Sequence, residues 1–298
     1  MNDAVALLKS AQQGDKKSLA RCITIVENEV EGYEELLSAL SFEKEIPVIG
    51  ITGPPGAGKS TLINSLLKKY VHDKKNVGVI AIDPTSPFNF GSLLGDRLRM
   101  GEHFNNDQVF IRSLATRGSL GGLSAKAIEI VDVMKNSDFD IIIVETVGVG
   151  QSEVEIVGLA DVTVLVLVPE SGDEVQTLKS GVMEIADIFV VNKSDRAGAD
   201  AFVKNIIALV QSKHSQTEIP VIKSVATSND GIDELAEAIS RIFPLKKNEK
   251  KSFLLADKAF HLLQNKRMKG INKKELHESL LEASQKKNFN LYSWVKQF

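Results

Sequence analysis

Residues 53–61 read GPPGAGKST and follow directly on the apolar run VIGIT. The pattern G-x-x-x-x-G-K-[ST] between a strand and a helix-forming run, here STLINSLLKKY, is compatible with few folds. Glycines let successive backbone N–H groups point at one spot, and the helix that starts there adds the positive end of its dipole. The residue types therefore predict a phosphate cradle made of Gly53, Pro54, Pro55, Gly56, Ala57, Gly58, Lys59, Ser60 and Thr61. In it the Lys59 ammonium would meet the β/γ-phosphates and the Ser60 hydroxyl a Mg²⁺ ion.

Such a loop needs a sheet behind it. From Pro47 onward the short β-rich runs VIGIT, NVGVIAI, QVFIR, FDIIIVE, VTVLVLV, IFVVN and IPVIKSVA alternate with helical patterns. Runs that are apolar almost throughout suit strands covered on both faces. This predicts an α/β fold with a mostly parallel central sheet flanked by helices, and helical extensions at both ends. The expected organisation is a helical extension over 1–45, a P-loop domain over 46–243 and a second helical extension over 244–298, entered through FPLKKNEKKS. In the first extension Leu19, Cys22, Ile23, Val26 and Val30 recur at helical spacing and form one apolar stripe.

Composition narrows the function classes. With 43% hydrophobic and 25% charged residues the chain has the balance of a soluble globular protein, and no window approaches a membrane span. The first 17 residues hold neither a secretory signal nor a transit peptide, and the lone Cys22 excludes an internal disulfide and any multi-cysteine metal site. A reducing cytoplasm is the expected location, with no membrane partner. The five histidines lie far apart, which speaks against a histidine metal centre. The net charge of −3 conceals 13 Lys and Arg against 5 Asp and Glu over 245–298, leaving −11 for the remainder. Those lysines alternate with leucines at helical spacing, as in KELHESLLEA, so a solvated helix face explains them and nucleic acid is not expected.

The base is read from FVVNKSD. A carboxylate at Asp195 accepts both N1–H and the exocyclic amine of guanine, a donor pair that adenine lacks. Lys193 would lay its stem over the base and Asn192 would tie the loop together. The metal side is framed by Asp83, Asp96 and Glu145, delivered at or just after strand ends, while the Gly148 N–H in TVGVG lies within reach of a γ-phosphate. Glu145 is longer than an aspartate, which favours a water-mediated metal contact.

In that order and spacing, GPPGAGKST, AIDPTSPFNFGSLLGDRLRM, ETVGVGQSEVEI, VPESGDEVQTLKSG and VNKSD resemble the MeaB/ArgK family of P-loop GTPases, from about Leu19 to Leu235. These are chaperones of adenosylcobalamin-dependent methylmalonyl-CoA mutase, once labelled a lysine/arginine/ornithine transport kinase. The resemblance implies slow intrinsic hydrolysis of GTP to GDP, Mg²⁺ near Ser60, Asp83, Asp96 and Glu145, and a methylmalonyl-CoA or related B12-dependent mutase as partner. It also implies a mobile segment in which Asp173, Gln176 and Lys179 match positions that transmit nucleotide state and assist hydrolysis, and a guanine contact at Ala226 in SVATS, whose backbone N–H would meet the guanine O6 although Val225 stands where the family usually shows Ser. Lys59, Gln176 and Lys179 are thus the expected catalytic set, and Gln151 is a second candidate for placing water. The family homodimer is carried as an expectation, since KRMKGINKKELHESLLEASQKKNFNLYSWVKQF departs from the longer dimerising arm. Two alternatives stand beside the chaperone: a kinase of a transport system, which needs an acceptor pocket and a base, and a metallocentre-assembly GTPase, which needs Cys and His ligands.

Overall fold

A computed structural model describes residues 3–83, 100–103, 105–115, 125–146, 156–170, 186–213, 219–245, 251–268, 270–285 and 289–296. The first three helices are α1 (Asp3–Gln12), α2 (Lys16–Asn28) and α3 (Tyr33–Ser38). Asp15 caps α2, accepting from Lys17 N at 3.1 Å and Ser18 N at 3.3 Å. The predicted stripe is buried at Leu19, Cys22, Ile23 and Val26, but Val30 is 48% exposed. Its periodicity ran past the end of the helix: Glu29 turns into the left-handed region at φ 49°, and its N–H closes on the Val26 carbonyl.

Seven strands follow, with helices between them. They are β1 (Val48–Thr52), β2 (Val77–Asp83), β3 (Val109–Ala115), β4 (Ile141–Glu145), β5 (Val162–Leu167), β6 (Ile188–Val191) and β7 (Val221–Lys223). The described helices of this region are α4 (Lys59–His72), α5 (Ala125–Lys135), α6 (Ala199–Lys213) and, after β7, α7 (Ile232–Ile242). All pairings are parallel, in the order β3-β2-β4-β1-β5-β6-β7. β1 lies between β4 and β5, with Ile51 opposite both Glu145 and Val164.

Burial explains why the strands read as continuous apolar runs. Along β4, Ile141 and Ile143 pack on one face with Leu62, Leu66 and Tyr70 of α4 and Leu235 of α7. Ile142 and Val144 face the other way, into the layer of α1, α2, α3 and α5. Leu165, Leu167, Phe189 and Val191 continue that second face under α6. Gly50 has no room for a side chain, since a Cβ there would stand 2.6 Å from Ile156, whose short 3-10 turn crosses β1.

Met1–Leu254 forms one compact unit, so the N-terminal helices share a core with the sheet. Leu255–Phe298 forms a second unit. From Lys251 onward the chain is helical as α8 (Lys251–Met268), α9 (Lys273–Ser284) and α10 (Leu291–Val295), the last capped by Asn290 Oδ1 accepting from Ser293 N. Among the described residues no helix is long and apolar enough to cross a membrane.

Candidate functional site

The phosphate loop leaves the sheet at its centre, between the carboxyl ends of β4 and β5, where ligands sit in open α/β folds. Two glycines make the exit possible. Gly53 sits at φ 143°, and a Cβ on it would lie 2.1 Å from the Val166 carbonyl. Gly58, at φ 87°, starts α4 and would collide with Asn192 Nδ2 at 2.4 Å. Pro54 and Pro55 carry no N–H, so they shape the turn while the remaining loop residues supply the donors. Lys59 is buried, and its ammonium donates to the carbonyls of Gly53 at 2.8 Å and Pro54 at 3.1 Å. Thr61 stands in the first turn of α4, beside Ser60.

On the metal side, Ser60 Oγ donates to Glu145 Oε1 at 2.8 Å, both residues being buried. One residue on, Thr146 Oγ1 donates to Thr52 Oγ1 at 2.9 Å, which pins the end of β4 to the root of the phosphate loop. A hydroxyl and a carboxylate this close are hard oxygen donors of the kind that suit Mg²⁺. The backbone of Asp83 ends β2 opposite Ala115. The Asp83 side chain, and Asp96, Gly148, Gln151, Asp173, Gln176 and Lys179 entirely, lie outside the described residues.

Asn192 organises the base side. Its Nδ2 donates to the Ala57 carbonyl at 2.9 Å, and its Oδ1 accepts from Ser224 Oγ and from Ala226 N, both at 3.2 Å. One buried carboxamide thus joins the phosphate loop, the end of β6 and the loop after β7. The Ala226 N–H that sequence reasoning reserved for guanine O6 is directed at Asn192 in this structure. Lys193 adopts φ 56° and stretches its ammonium to the Gly56 carbonyl at 2.8 Å, so its stem runs beside the phosphate loop. Asp195 is exposed, and Arg196 next to it donates to Glu170.

Sequence reasoning missed several groups that hold the site. Ser65 Oγ donates to the Ala226 carbonyl at 2.6 Å, tying α4 to the base loop, and Ser224 and the Thr52–Thr146 pair act as described above. A polar residue at an otherwise apolar strand end or helix face is the signal that marks each of them.

With this geometry in view, comparison with known proteins decides the family. Residues 19–279 match the profile of methylmalonyl Co-A mutase-associated GTPase MeaB. The chain belongs to the MeaB family of GTPases. A putative GTPase of Pyrococcus abyssi is 50% identical over 239 residues, 78% of this chain and 74% of that one. A fused isobutyryl-CoA mutase of Geobacillus kaustophilus is 34% identical over 236 residues, 74% of this chain but 22% of that protein. The crystal structure of an LAO/AO transport system kinase aligns with 100% of this chain and 97% of its own at TM-score 0.68 and 23% identity, a likeness of fold. Family and fold are those of GTPases, proteins that bind GTP and GDP.

Proposed function

We propose that this MeaB-family chain binds GTP and Mg²⁺ at the carboxyl ends of β1, β4 and β6, hydrolyses GTP slowly, and uses the nucleotide state to switch its hold on a B12-dependent acyl-CoA mutase in the cytoplasm. The observation that carries the nucleotide part is the Asn192 carboxamide, hydrogen-bonded at once to the phosphate loop and the base loop. A buried cross-link of that kind sets the spacing between a phosphate grip and a carboxylate at Asp195, which suits one guanine nucleotide spanning both.

Each residue then has a role. N–H groups of the loop and of the first turn of α4 would hold the phosphates, and Lys59 would exchange its two carbonyl partners for β/γ-phosphate oxygens. Asp195 would accept the guanine edge and the Lys193 stem would cover the base. Bound Mg²⁺ supplies charge neutralisation on the phosphates, with Ser60, Glu145, Asp83 and Asp96 as its holders. Hydrolysis needs in-line water and charge compensation. Lys59 supplies the second, and Gln176 and Lys179, with Asp173 as a switch residue, are assigned to the first and to signalling. In that assignment the Gly148 N–H follows the γ-phosphate.

The mutase partner is supported by the family's name and by the Geobacillus relative, where a matching stretch makes up 22% of a fused isobutyryl-CoA mutase. Coupling must be reciprocal: a mutase that favours the GTP form raises GTP affinity by the same factor. The C-terminal helices from 244 onward are assigned as a separate extension, and a homodimer is included in the proposal. Calorimetry of GDP and GTP with Mg²⁺, followed by pull-down of methylmalonyl-CoA and isobutyryl-CoA mutases with GDP or a non-hydrolysable GTP analogue, tests the scheme. No heat with either nucleotide overturns the site, and nucleotide-independent or absent capture overturns the switch.

A further inference from the structure

We infer that Glu170 is a specificity-supporting positioning residue: by engaging the Arg196 guanidinium it keeps that cation off Asp195, the carboxylate assigned to the guanine edge. The inference rests on the nucleotide site proposed above. Glu170 lies three residues beyond β5 and Arg196 five beyond β6, two strands paired side by side with Leu167 opposite Val191. Arg196 Nη1 donates to Glu170 Oε1 across the ends of these strands, with the side chains 49% and 50% exposed. That hydrogen bond is the main cause holding the Glu170 carboxyl below its ordinary range.

The alternative partner for Arg196 is next to it in the chain. Asp195 is exposed and has no hydrogen-bond or ion-pair partner among the described residues, the condition in which both its oxygens stay open to a ligand's two donors. The backbone turn is fixed, since Arg196 N donates to the Lys193 carbonyl at 3.1 Å and Ala199 N to the Arg196 carbonyl at 3.3 Å. Arg196 therefore cannot leave the neighbourhood, and its forked donors match a carboxylate as well as guanine does. The other cations of this edge are also engaged elsewhere: Lys193 on the Gly56 carbonyl and Lys223 on Asp200. Among the described residues, Lys193, Lys223 and Arg196 thus each have a partner other than Asp195, and Glu170 is that of Arg196. Without Glu170, Arg196 turns to Asp195, and guanine must displace it to bind.

The test is GDP titration by calorimetry on four full-length proteins: wild type, Glu170→Gln, Arg196→Gln and the double variant. An exposed ion pair competing with the ligand predicts that Glu170→Gln weakens GDP about threefold at low salt. Arg196→Gln and the double variant should bind like the wild type, because no guanidinium remains to compete. The penalty should fade at high ionic strength. A pair that merely props the loop would make Arg196→Gln as harmful as Glu170→Gln and leave the double variant weak, and either result overturns the inference, as does wild-type affinity in Glu170→Gln. Failure of the wild type itself to bind GDP would instead overturn the nucleotide site, so the two failures are separable.

Discussion

Replacing Asn192 with alanine is the sharpest probe of the architecture. The side chain is 2% exposed and makes three hydrogen bonds, to Ala57 O, Ser224 Oγ and Ala226 N. Truncation strands the Ala57 carbonyl and the Ala226 N–H, both on buried residues, while the Ser224 hydroxyl can rotate away. At about 1–3 kcal/mol for each of the two stranded backbone groups, the nucleotide-free protein should lose about 2–6 kcal/mol of unfolding free energy. That is a large part of the roughly 5–15 kcal/mol typical of a domain. Urea unfolding followed by far-UV circular dichroism measures it, since the lone tryptophan, Trp294, lies outside the unit that contains the sheet. GDP affinity should fall at least about tenfold, because two loops held in register by one side chain must then be ordered by the ligand. Asn192→Asp should be no milder: it keeps an acceptor for Ala226 N but sets a carboxylate oxygen against the Ala57 carbonyl. If Asn192→Ala unfolds within about 0.5 kcal/mol of the wild type, the range of an ordinary surface substitution, the cross-link does not hold the two loops.

Other outcomes follow from single groups. Lys59→Ala should abolish phosphate release from GTP, leaving the Gly53 and Pro54 carbonyls without their cation at the mouth of the loop; retained turnover would place the chemistry elsewhere. Asp195→Asn should weaken GTP and gain xanthosine triphosphate, whose extra oxygen accepts from the new amide, as competition titration would show. Cys22 is fully buried and burial pushes its thiol up to about 11, so it should resist a thiol reagent at pH 8 unless denaturant is added. Because the folded thiol holds its proton more tightly, the stability it contributes is complete below pH 9 and declines toward pH 11. The urea midpoint of the wild type should therefore fall relative to that of Cys22→Ala across that window.

The strands β1, β4, β5 and β6 were legible because each is buried throughout, so that its composition alone announces it; the matching helices α4 and α7 declare themselves by the one stripe they bury. The turn at the loop glycines was legible too, because Gly53 at φ 143° and Gly58 at φ 87° adopt a backbone that other residues take up only with strain. Val30 was misjudged because periodicity carries no information about a left-handed residue that ends the helix one position earlier. The role of Asn192 was foreseen in outline, but its partners lie 135 and 34 positions away, and only the parallel order of β1, β5, β6 and β7 brings them together. Ser65, Ser224 and the Thr52–Thr146 pair were invisible for that reason: a small hydroxyl residue has no pattern until its distant acceptor is placed.

The ammonium of Lys59, resting on two oxygens of its own turn, also bears on how a spent nucleotide departs. Under the function proposed above, departure of diphosphate would return the cation to these two carbonyls, so the polypeptide itself supplies the partners that the phosphates would take over on binding.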